Sequence, residues 1–177
     1  EGGRGVGKMT DQPIVVVSGL PRSGTSMMMK VLEAGGLPVL TDNLRTADED
    51  NPRGYYEFER VKQIEEDREW LPGARGKAVK MISALLKHLP SDYEYRVIFM
   101  QRDMNEILAS QRQMLVRRGE DTERIDDEEM ARLFARHLSQ MESWLASQPA
   151  MDVLYVHYGD VLADPAAHAA RVNAFLG

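Results

Sequence analysis

The chain contains no cysteine. That absence excludes a disulfide framework, a thiolate metal site and a cysteine nucleophile together. Aromatic residues are few, 7% of the total with two tryptophans, so aliphatic and methionine side chains must supply most of the core. No apolar run is long enough to span a membrane, and no secretory signal is visible in the sequence. A cytoplasmic location is therefore the expectation. An excess of cationic charge is missing too. Lys and Arg number 22 against 28 Asp and Glu, a net charge of −6, which argues against general binding to nucleic acid or to an anionic membrane. Any anion site must be built locally, against the field of the whole molecule.

What is present suits one globular domain. The 177 residues are 43% hydrophobic and 28% charged, enough for a sizeable core. Residues 1–8 read as a non-native leader before a start at Met9, leaving 9–177 as the domain. The leader holds a decoy phosphate motif, Gly2-x4-Gly7-Lys8. No strand precedes it, and Met9 stands where a hydroxyl residue is required, so it is rejected.

The segment from Pro13 to Lys30 carries the strongest signal. Ile14–Val17 is a continuous β-branched run, as in a strand buried on both faces. It breaks into Gly19-Leu20-Pro21-Arg22-Ser23-Gly24-Thr25-Ser26 and then into a helical pattern over Thr25–Ala34. Strand, glycine loop and helix start make a phosphate cradle: backbone approaches closely, N–H groups point inward, and the helix N-terminus adds positive potential. The Gly19-x4-Gly24 spacing is that of a Walker loop, but Thr25 stands where its lysine belongs, and the cation is Arg22. Without the Walker lysine the loop is poorly made for ATP hydrolysis.

Further strands are predicted at Ala78–Ile82, Arg96–Gln101 and Val153–His157, alternating with helices as in a parallel α/β sheet. Gly35-Gly36 closes the first helix, Glu57–Trp70 is a candidate helix, Leu44–Gly54 is a polar loop, and Pro72-Gly73 marks a turn. Asp103 opens a helix with Glu106 three places on, a capping-box variant, and Arg117, Arg118 and Gly119 end it. Residues 120–129 are acidic and read as solvated. Met130, Leu133, Phe134, Leu138, Met141, Trp144 and Leu145 then recur at helical spacing, and a last helix runs over Pro165–Leu176.

Proline, a basic residue, Ser-Gly and two hydroxyls in the loop resemble the 5′-phosphosulfate loop of the sulfotransferases, which use 3′-phosphoadenosine 5′-phosphosulfate (PAPS). Arg102-(x)7-Ser110, straddling a strand end and a helix, is similar to that family's 3′-phosphate motif. Tyr158, Asp160, Asp164-Pro165 and Phe175-Leu176-Gly177 resemble its closing strand and helix, with Gly159 in place of the usual glutamate. The resemblance implies an α/β fold: a single P-loop domain of the nucleoside triphosphate hydrolase-like type, its mostly parallel sheet flanked by helices and its first strand central. It implies sulfuryl transfer from PAPS to an acceptor, small molecule or peptide, with a hydroxyl as the expected accepting group. Arg22, Ser23, Gly24, Thr25 and Ser26 would hold the phosphosulfate, with Arg22 also stabilising the leaving group; Arg102 and Ser110 would hold the 3′-phosphate. Met27 replaces the tryptophan that follows the two hydroxyls in the cytosolic enzymes, and the later Arg-Lys-Gly segment of those enzymes has no counterpart.

The general base has three candidates. Glu57, in a segment resembling one in bacterial sulfotransferases, stands slightly ahead of Asp42, which falls near the acidic pair of the tyrosine sulfotransferases. His88, in Lys87-His88-Leu89-Pro90, ranks behind both, because Lys80 fits the family's strand lysine and puts Ile82 at the histidine's place. Residues 37–76 would form an acceptor-side insertion or lid. No metal is expected, since neither a Walker magnesium arrangement nor a ligand cluster is present. A kinase-like phosphotransferase and a catalytically silent nucleotide-binding module stay open as alternatives; for the former, Lys30 and Lys80 are poor stand-ins for the missing lysine by spacing.

Overall fold

The computed structural model describes residues 12–42, 56–121 and 126–177. The leader 1–8, the start at Met9 and the polar loop 44–54 lie outside them. Four strands form one parallel sheet: β1 (Ile14–Gly19), β2 (Ala78–Lys80), β3 (Tyr95–Gln101) and β4 (Met151–His157), in the order β2-β1-β3-β4. The first strand is interior, as expected. Val15 pairs in register with Ala78 on one side and Arg96 on the other. β3 and β4 continue the ladder from Tyr95–Met151 to Gln101–His157.

Every residue of β1 is buried, because the sheet is covered on both faces. Ile14 and Val16 point to one side. There they meet Val79, Val97 and Phe99, together with Val61, Ile64, Trp70 and Leu71 and with Met141 and Leu145 of the long helix α4 (Asp127–Ala146). Val15 and Val17 point to the other side, against Met28, Met29 and Leu32 of α1 (Thr25–Ala34) and Val172 of α6 (Pro165–Leu176). Period 2 in the strand sorts its side chains between two cores, and the helices answer with apolar stripes at period 3.6.

Between these elements the sequence expectations hold in part. No helix runs over residues 57–70. A 3₁₀ turn occupies Glu59–Gln63, and a single helical turn, α2 (Leu71–Ala74), follows and contains the Pro72-Gly73 pair. Phe58, Val61 and Ile64 recur every third residue and pack into one core; that spacing suits a 3₁₀ turn, where side chains three apart eclipse. β2 stops at Lys80, and a 3₁₀ segment covers Ser83–His88. α3 (Met104–Arg117) is capped by Asp103, whose side chain accepts from the Asn105 N–H. The second half of the capping box does not form, because Glu106 turns to Arg102 instead, at 3.1 Å. The acidic run is exposed where it is described, and its end is helical: Asp126 caps α4, and Asp127, Glu128 and Glu129 are its first turn. Leu133 on α4 faces solvent. A short helix, α5 (Tyr158–Ala163), joins β4 to α6.

Candidate active site

The carboxyl ends of β1, β2 and β3 open on one cleft of about 420 Å³. Ligands of open α/β sheets bind at such an edge. The loop from Gly19 to Ser26 forms its floor. Gly19 has φ 148°, and a side-chain carbon there would meet Ser23 Oγ at 2.6 Å and the Met100 carbonyl at 2.8 Å. Gly24 has φ 100°, and a side-chain carbon would meet the Tyr158 ring at 2.7 Å. Both positions demand glycine for conformation and for space. Gly24 is also the N-cap of α1 and offers no side-chain cap, so the first-turn N–H groups keep no side-chain acceptor. That arrangement favours an anion.

Ser23 is buried, and its hydroxyl donates to the Leu20 carbonyl at 2.6 Å. Its side chain holds the turn and does not face the cleft. Thr25, Ser26 and Arg22 do line it.

Arg22 joins the loop to the second motif. Its Nε donates to Ser110 Oγ at 2.9 Å, and its carbonyl accepts from Arg102 Nη1 at 2.9 Å. Ser110 lies two turns into α3, on the face that meets the loop. The Arg102 guanidinium stands 4.3 Å from the Tyr158 ring centroid, a cation–π distance, and its Nε also meets Glu106. Tyr158, in the closing segment, is more than a packing residue. It does pack on Gly24, yet it lines the cleft and seats Arg102 as well.

Lys80 reaches the loop from the end of β2. Its ammonium lies 3.1 Å from Ser26 Oγ and 3.4 Å from Glu57 Oε1. Its spacing in the sequence made it look badly placed for the loop; the parallel pairing of Val17 with Lys80 brings it there. Glu57 lines the cleft, whereas Asp42 does not. The Asp42 carboxylate accepts from the Glu59 N–H at 2.6 Å, next to the 3₁₀ turn. His88 lies off the cleft, with Nε2 2.9 Å from Glu65. Among the described residues no group of three or more His, Cys, Asp or Glu side chains could hold a metal ion, and no helix is long and apolar enough to cross a membrane.

The lining thus gathers five basic side chains, Arg22, Lys62, Lys80, Arg102 and Arg118, against one carboxylate, Glu57, among the described residues. Such a site suits an acid with more than one anionic end. Residues 43–177, well over half of the chain, match the sulfotransferase family. The chain belongs to that family. The matched stretch starts beyond the glycine loop, so the loop's assignment rests on its own geometry and on the fold. No curated protein matches the chain in sequence. Among solved structures it resembles the sulfotransferase STF1 from Mycobacterium tuberculosis, at 16% identity and a TM-score of 0.65, over 96% of this chain and 68% of that one. It is similar to a sulfotransferase from Alicyclobacillus acidocaldarius at 15% identity and a TM-score of 0.54, over 94% and 81%. It also matches retinol dehydratase in complex with androsterone and the inactive cofactor PAP, at 17% identity and a TM-score of 0.50, over 96% and 60%. These likenesses establish the sulfotransferase fold.

Two features of this sulfotransferase site escaped the sequence. The role of Tyr158 was hidden because its partner, Arg102, is 56 positions away in a different crossover. The contact of Lys80 with Ser26 required the strand register, which no local pattern encodes.

Proposed function

We propose that this protein transfers a sulfuryl group from PAPS to an acceptor hydroxyl. The observation that carries the reading is the link Arg102–Arg22–Ser110, which ties the 5′ loop to the 3′ motif at one sheet edge. The residues fit the donor: the glycine floor, the uncapped helix start and the cations Arg22, Lys80 and Arg102 among the five that line the cleft answer a nucleotide with two separated anionic ends. When bound, PAPS supplies the sulfuryl group and departs as 3′,5′-adenosine bisphosphate.

Each residue has a task in that transfer. The N–H groups of Gly24, Thr25 and Ser26 hold the 5′ end. Arg22 and Lys80 stabilise negative charge as it grows on the leaving oxygen, a differential effect that lowers the barrier. Arg102 and Ser110 hold the 3′-phosphate. Glu57 accepts the acceptor's proton as the oxygen–sulfur bond forms and the donor's sulfur–oxygen bond breaks. It is the candidate base that lines the cleft. Residues 37–76 contribute one acceptor-side wall, through Glu57 and its neighbours.

Radiolabel transfer from PAPS across an acceptor panel tests the reaction, with 3′,5′-adenosine bisphosphate binding by calorimetry as its partner measurement. Glu57→Gln should lower turnover by roughly two to four powers of ten, the range for a general base, while the bisphosphate still binds. Asp42→Asn should leave turnover within a few fold. Magnesium-dependent binding of ATP, with no affinity for the bisphosphate, would replace this reading by phosphotransfer.

A further inference from the structure

Glu57 has no helix or strand of its own to hold it. It stands just before the 3₁₀ turn Glu59–Gln63. Its neighbours go different ways: Tyr56 packs into the core that α1 covers, and Phe58 into the core on the opposite face, with its ring edge-on to Trp70 at 5.4 Å. A proton acceptor must come within about 2.6–3.2 Å of the atom it serves, so this stretch of backbone has to be fixed by something else.

Thr41 and Asp42 fix it. The Glu57 carbonyl accepts twice, from the Asp42 N–H at 3.0 Å and from Thr41 Oγ1 at 3.0 Å. Two residues on, the Glu59 N–H donates to the Asp42 carboxylate at 2.6 Å. Glu59 opens the 3₁₀ turn, whose N-cap is Phe58, a residue with no side-chain acceptor to offer. Asp42 supplies that acceptor from 17 positions upstream, and so grips the chain on both sides of Phe58. The grip is anchored on the sheet. The Leu40 N–H donates to the Ala78 carbonyl at 2.8 Å, and the Ala78 N–H to the Pro38 carbonyl at 2.9 Å. Ala78 begins the strand that ends in Lys80. Glu57 and its ion-pair partner Lys80, 3.4 Å apart, are thus both held from one edge strand.

We propose that Thr41 and Asp42 are positioning residues for sulfuryl transfer: they clasp the main chain around Glu57 and set its carboxylate against Lys80. The proposal rests on the reading of Glu57 as general base. It gives Asp42 a task that needs an acceptor oxygen beside Glu59, not a proton acceptor beside the substrate.

The test reads 3′,5′-adenosine bisphosphate released from PAPS by the full chain with the most active acceptor of the panel. Asp42→Ala should lower kcat roughly ten- to hundredfold, the scale for a misplacement of about 1 Å. The KM for PAPS and the binding of the bisphosphate should stay near parental values. Asp42→Asn keeps an oxygen for the Glu59 N–H and should return kcat to within a few fold of the parent. Thr41→Val removes one hydrogen bond and should cost about fivefold; it carries the same test if Asp42→Ala does not fold. The deciding measurement is the double variant. In the Glu57→Gln background, Asp42→Ala or Thr41→Val should cost almost nothing further, whereas a merely structural role would lower both backgrounds alike. Equal losses in the two backgrounds, or parental kcat in Asp42→Ala, would overturn the clasp and leave Glu57 as the base. Asp42→Asn as slow as Asp42→Ala would overturn it too, and give the proton to Asp42. Parental turnover in Glu57→Gln would overturn the base and the clasp together, and absence of release by the parent protein would overturn the transfer itself.

Discussion

Arg22 occupies left-handed backbone space, φ 67°, alone among the described non-glycine residues. That conformation costs about 1–2 kcal/mol for a residue with a side chain. It persists because Ser110 takes the guanidinium and Arg102 takes the carbonyl. Replacing either partner therefore has two effects, on the ligand and on the loop. Arg102→Ala should weaken 3′,5′-adenosine bisphosphate by about 1.5–3 kcal/mol, as expected for a charged hydrogen bond. It should weaken 5′-AMP by less, through the loosened Arg22 carbonyl alone. Ser110→Ala should follow the same order more mildly. Calorimetry on two ligands and three proteins reads it, and equal losses for both ligands would remove Arg102 from the 3′-phosphate site.

The elements differ in how far they were legible. β1 and α1 follow the sequence closely, since a β-branched run, a glycine loop and a Gly-Gly stop are each local signals. The segment after Tyr56 does not. Its apolar residues fit a helix as well as a series of 3₁₀ turns, and packing against Trp70 and Leu71 decides between them. The site divides along the same line. Motif residues Arg22, Gly24, Thr25, Ser26, Arg102 and Ser110 were recognisable by type and spacing, and the structure brings them together. Lys80 and Tyr158 act across strands and crossovers, so only the register brings them into view. One element contact carries a pH dependence. Ser83 Oγ lies 2.7 Å from His137 Nε2, joining the 3₁₀ segment to α4. Burial, and after it the charge of Lys87, holds the His137 pKa below the ordinary value. Its folded pKa is depressed, so the unfolded chain binds protons more readily. The stabilisation is complete above about pH 6.5 and declines as pH falls below it. Melting temperature followed downward from pH 7 should fall less steeply in His137→Gln than in the parent protein; parallel curves would refute the assignment.

At the scale of the whole molecule, a net charge of −6 surrounds a cleft lined by cations. The field at the cleft is thus local, and anion capture there depends on the fold being complete. The bonds that define it span long stretches of chain: Lys80 to Ser26, Arg102 to Arg22 and Ser110 to Arg22, separations of 54, 80 and 88 residues. Among the described residues the first strand to pair with β1 begins at Ala78, and the second begins at Tyr95. Parallel pairings at such distances form slowly, because chain closure costs entropy before contacts repay it. During synthesis the glycine loop emerges first and waits: the side chains that hold Arg22 in its strained conformation, Arg102 and Ser110, are made 80 and 88 residues later. Backbone structure and ligand competence should consequently separate in time. In refolding, far-ultraviolet circular dichroism should recover before binding of 3′,5′-adenosine bisphosphate does, and Ser110→Ala should widen the interval. Coincident recovery of the two signals would mean that the loop takes its shape without α3.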